Sequence, residues 1–117
     1  MIDLLKPLID WDRLPRQEVR PGEVIIAGGE PTSILFLLET GLAEGSDGHL
    51  FEDGELLALC EALALDHYTT RVVASAPCQL VVISKMMLEA ALQRGGRLVL
   101  PLSRSIAADV TQRRLAG

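Results

Sequence analysis

Short apolar runs, each closed by a glycine or proline turn, fill the first half of the chain and predict strands. Residues 17–19 read as a first short strand, turned by Pro21-Gly22. Residues 23–27 are β-branched in the middle and end at Gly28-Gly29 and Pro31, and residues 34–38 form a further apolar run closed by Thr40-Gly41. Residues 42–44 and 50–51 flank Ser46-Asp47-Gly48-His49, where Asp-Gly between extended segments is a hairpin signal. Strands with turn signals at a spacing of roughly 8–12 residues point to a β-sandwich or barrel. Residues 71–75 and 80–83 resume that pattern around Ala76-Pro77.

Four helical segments interrupt or flank the strands. Residues 1–16 hold a mixed apolar pattern with Pro7 inside it, which predicts a short N-terminal helical cap. Residues 56–65 are apolar almost all round, broken by Glu61, and predict a buried lid helix over about residues 55–65. From Ser84 the period lengthens. Ser84 is the expected N-cap of a helix over residues 85–94, with Met87, Leu88, Ala91 and Leu92 on one face. After Gly95-Gly96, the repeat Leu98, Leu102, Ile106, Val110 predicts a second helix, so helices occupy residues 84–114 beside a barrel over residues 17–83. With the chain ending at Gly117, no helix-turn-helix is expected after them.

Composition narrows the function classes. A chain of 117 residues with 49% hydrophobic content fits one domain with one core, built of aliphatic residues because Trp11, Phe36, Phe51 and Tyr68 are its aromatics. A formal charge of −5 opposes binding to a phosphate backbone, so no nucleic acid is expected. No apolar run reaches about 18 residues, which predicts no membrane span and a cytoplasmic protein with Cys60 and Cys78 reduced. His49 and His67 both fall in predicted loops, too few and too scattered for a metal site of the cupin type. With no Ser/His/Asp arrangement and no phosphate-gripping GxxxxGK[ST] loop, no enzyme is expected.

The segments PGEVIIAGGEP and DGELLALCEALALDHYTTRVVASAPCQLVVI, with residues 31–41 between them, resemble the cyclic nucleotide-binding domain. The likeness runs from about residue 17 to residue 114, and Gly22, Gly29, Gly41 and Gly54 fall where that family places turn glycines. It implies a mainly β fold: a jelly-roll barrel of about eight strands with an N-terminal helix, a lid helix and two C-terminal helices.

The resemblance also implies a phosphate-binding cassette, in which a Gly-Glu pair precedes an Arg and then a Ser or Thr. Counting without a gap puts Ala58 and Leu59 on the Gly-Glu pair, Tyr68 on the Arg and Thr69 on the small hydroxyl residue. Sliding the count to Gly54, Glu55 and Leu56 restores a Gly-Glu but supplies no Arg ahead of Thr69. Arg71 is the nearest cation, on the opposite face of the strand from Tyr68 by alternation. A bidentate Arg–phosphate pair is worth more than a charge-assisted hydrogen bond of about 1.5–3 kcal/mol, so its loss costs on the order of 10²–10³-fold in affinity. Asp53 and Glu55 are expected to satisfy the lid helix's N-terminus themselves, and Tyr68 to pack its ring into the vacated pocket.

The expected function is thus a non-enzymatic regulatory or protein-interaction module that does not take cAMP or cGMP in the usual way. The alternative is a sensor for another small molecule held between Ala58, Leu59 and Tyr68, including haem with His67 or Cys60 as axial ligand. In the resembled family the last helix pairs two copies, so Leu98, Leu102, Ile106 and Val110 are the expected homodimer contact.

Overall fold

A computed structural model describes residues 9–94 of the chain. The second C-terminal helix, its Leu98, Leu102, Ile106 and Val110, the homodimer they would form and residues 1–8 of the N-terminal cap lie outside the described residues. Within them the cap is represented by a 3-10 turn, Trp11–Arg13.

The predicted strand runs form β1 (Arg16–Val19), β2 (Val24–Ile26), β3 (Ile34–Thr40), β4 (Ala43–Gly45), β5 (Leu50–Phe51), β6 (Val72–Ala74) and β7 (Cys78–Ser84). They make a sandwich of two antiparallel sheets, β1-β7-β3 and β2-β6-β4-β5. The expected barrel of about eight strands is therefore, among the described residues, seven strands in two sheets. Two further pairings stop at single bridges, Pro31 with His67 and Leu37 with Leu56. Pro31 has no N–H to extend a ladder, which explains why the first goes no further.

The Asp47-Gly48 hairpin forms as expected. Gly48 takes φ +88, its N–H donates to the Gly45 carbonyl at 2.9 Å, and the Gly45 N–H donates to the His49 carbonyl at 2.8 Å. Ile26, Leu35, Leu38, Leu57, Leu80, Ile83, Leu88 and Leu92 are fully buried and form the centre of the core.

Two helices are described, α1 (Leu59–Ala64) and α2 (Lys85–Arg94). The lid is shorter than expected because Leu56 bridges β3 and Ala58 adopts φ +50, ψ +41, a left-handed conformation in which a helix cannot continue. Ser84 caps α2, its Oγ accepting the Met87 N–H at 3.1 Å. Leu88, Ala91 and Leu92 face the core, but Met87 is 41% exposed. At about 100° per residue, Ala91 and Leu92 flank Leu88 closely while Met87 lies a quarter-turn round the helix. Among the described residues no helix is long and apolar enough to cross a membrane.

A half-buried polar knot joins the two helices. The Lys85 ammonium donates to Thr32 Oγ1 at 3.1 Å and to the Leu65 carbonyl at 3.2 Å, and the Thr32 hydroxyl donates to that same carbonyl at 2.7 Å. A cation on the last carbonyls of α1 is favourable for the helix dipole as well. Lys85→Ala is expected to cost about 1–2 kcal/mol, read as a lower urea midpoint with an unchanged slope.

Candidate functional site

The residues predicted for the cassette differ in exposure and in the partners they make. Gly54 is an exposed turn residue at φ +87 whose N–H donates to the Leu38 carbonyl at 2.7 Å. Glu55 is exposed; its carboxylate accepts the Glu52 N–H at 3.3 Å and lies 3.9 Å from His49 Nε2. Asp53 accepts the Gly41 N–H at 2.8 Å. Neither carboxylate serves the start of α1, contrary to expectation, because the turn around residues 52–55 and its neighbour Gly41 use them first. Leu56 is buried against β3, Ala58 is buried and Leu59 is half-buried at the first turn of α1.

Tyr68 is 2% exposed and its hydroxyl donates to the Ile34 carbonyl at 3.0 Å. Burial, then the charges of Glu61 and Glu30, push the phenol's pKa far above its ordinary value, so it stays a neutral donor. Arg71 is exposed. His67 is exposed at its bridge to Pro31 and Cys60 is half-buried on α1; among the described residues no three His, Cys, Asp or Glu side chains cluster as metal ligands. A groove of about 550 Å³ lined in part by Glu18, Arg20, Glu23, Thr40 and Gln79 shares no residue with the predicted site.

The polar centre of this region is a residue the sequence pattern assigns no role. Glu61, on α1, is 1% exposed. Its Oε1 accepts the backbone N–H groups of Thr69 and Thr70, each at 3.0 Å. Its Oε2 accepts the Thr70 hydroxyl at 2.8 Å and the Thr69 hydroxyl. Thr70 is buried and Thr69 exposed, so the corner is closed on one side and reaches solvent on the other. Four donors on one carboxylate meet the requirement that a buried charge be hydrogen-bonded.

Burial alone would raise the Glu61 pKa, but the hydrogen bonds from Thr69 and Thr70 outweigh it and hold the carboxyl below its ordinary 4.5. The unfolded chain therefore takes up the proton first as pH falls. The stability Glu61 contributes is fully present above 4.5 and is lost as pH drops below it toward the folded value. Urea unfolding followed from about pH 6 to about pH 3 should show this loss, and Glu61→Gln should flatten that part of the profile.

A family model for the cyclic nucleotide-binding domain matches residues 16–95. The chain belongs to this family. No match is found among curated proteins. Among solved structures, the fold is similar to PKAR CBD2 bound to Sp-2Cl-cAMPS, with a TM-score of 0.71 and 20% identity over 98% of this chain and 82% of that one. It is similar to cAMP-bound PfPKA-R (141-441), with a TM-score of 0.66 and 21% identity over 83% of this chain, which spans 38% of that longer one. The sensor domain of the transcriptional regulator DNR from Pseudomonas aeruginosa gives a TM-score of 0.71 at 17% identity, covering 94% of this chain and 85% of that one. At these identities the likeness is one of fold.

Proposed function

We propose that this cyclic nucleotide-binding domain is a non-enzymatic regulatory or protein-interaction module whose cassette does not hold cAMP or cGMP in the usual way, and that it works as a homodimer. The observation that carries this reading is Glu61. Its carboxylate already takes the Thr69 and Thr70 donors from which a bound phosphate would draw hydrogen bonds. A phosphate brought there would meet a like charge in a weakly screened interior.

Two further features support it. Tyr68, counted against the family's Arg, offers no cation, and its hydroxyl is engaged with Ile34. Ala58, counted against the family's glycine, is the sole non-glycine residue at positive φ among the described residues, as the gap-free count requires of a glycine position.

The test compares thermal shifts with cAMP up to millimolar for three forms of the chain. The intact chain should not respond. The triple variant A58G/L59E/Y68R should not respond either, because the new guanidinium would pair with Glu61. Adding Glu61→Ala frees both the guanidinium and the threonine donors, and that form should rise by several degrees at about 100 times its Kd. A clear shift of the intact chain at micromolar cAMP or cGMP would overturn the reading.

A further inference from the structure

We infer that the Thr69–Thr70 corner is a latent site for a small singly charged oxyanion, and that Glu61 is a tethered competitor that keeps it closed. This rests on the reading above and adds what regulates that corner. Two N–H groups and two hydroxyls converge on two oxygens of one carboxylate, an arrangement that a formate, an acetate or a phosphate oxygen pair can equally satisfy. The hydroxyls rotate, so the donor set adapts to oxygens spaced differently from those of a carboxylate. Thr69 is exposed, which gives a free anion a way in from the solvent side.

Competition explains why the intact domain would ignore such anions. A side chain carried on a short tether acts at an effective concentration of about millimolar or more, and Glu61 sits on a helix fixed beside its partners. An outside anion must displace it while the displaced carboxylate stays close by as a like charge. Removing or neutralising the side chain lifts both obstacles. Tyr68 supplies no cation at this corner, which favours single over double charge in the anion admitted.

The experiment is a thermal-shift titration of the full chain with sodium formate and inorganic phosphate, with sodium chloride at matched ionic strength as reference. Intact protein should respond to formate and phosphate as it does to chloride. Glu61→Ala should melt lower and be restored saturably, with a midpoint at least tenfold below any in the intact chain. Adding Thr70→Val to Glu61→Ala should abolish the gain.

A Glu61→Ala response equal to the chloride response overturns the inference, as does a gain that survives Thr70→Val. Should Glu61→Ala not fold, Glu61→Ser decides. Its short side chain also leaves the carboxylate's place open, so formate should stabilise it beyond chloride, and parity between the two salts counts against the inference. Titrating cAMP into the intact chain keeps the two ideas apart. A shift there sinks the reading of the intact domain; an unresponsive intact chain with an unresponsive Glu61→Ala sinks only the latent site.

Discussion

Glu61→Leu is expected to lower the unfolding free energy by about 3–5 kcal/mol. Leucine fills nearly the same space, so little packing is lost. The cost arises at the partners: the Thr70 N–H and hydroxyl, buried and now without an acceptor, each forfeit about 1–3 kcal/mol. Thr69 is exposed and can turn to water, so its donors add little. A urea midpoint shift at constant slope measures the loss. Glu61→Gln should fall well short of it, since the amide oxygen still accepts. Near-equal stability of Glu61→Leu and the intact protein would mean that the threonines find other partners and that the corner is not organised around this carboxylate.

The second large effect is expected at Gly41. Its φ of +123 is a conformation L side chains rarely adopt, and an added Cβ would lie 2.6 Å from the Pro77 carbonyl oxygen, 2.8 Å from Cys78 Sγ and 2.9 Å from Cys78 Cα. Two of those three atoms are backbone, so no side-chain rotation relieves the contact. Gly41→Ala should cost about 2–4 kcal/mol, combining left-handed strain with overpacking. The comparison that isolates the clash is Gly48→Ala, at φ +88 with nothing within 4 Å, which should cost only about 1 kcal/mol. Equal losses at the two positions would show that backbone strain alone decides both.

Much of the fold is legible in the sequence because its signals are local. Asp47-Gly48 turns a hairpin with its own backbone, Ser84 caps a helix three residues ahead, and β7 is an apolar run whose Leu80, Val81 and Ile83 are all buried. The start of α1 is hidden for a physical reason. A glycine at position 58 would announce a left-handed residue, whereas alanine reads as a good helix former and extends the apparent helix back to residue 55.

Glu61 is harder still to read. A single acid in an apolar helix looks like an interruption, and its meaning lies in Thr69 and Thr70, eight and nine residues on, beyond any helical period. The pairing of Glu61 with a Thr-Thr step is the one signal that could have found it. The contact from Lys85 to Thr32 spans 53 residues and leaves no local trace at all.

In the function proposed above, Glu61 is the resident anion of the corner where a nucleotide phosphate would sit. The amide resonances of Thr69 and Thr70 report on that corner directly, because both N–H groups donate to Glu61. The decisive measurement follows those two resonances by NMR while cAMP is added to millimolar excess over the intact chain. Both should stay in place. Saturable movement of both at micromolar cAMP would show a phosphate displacing the carboxylate and contradict the role proposed for Glu61.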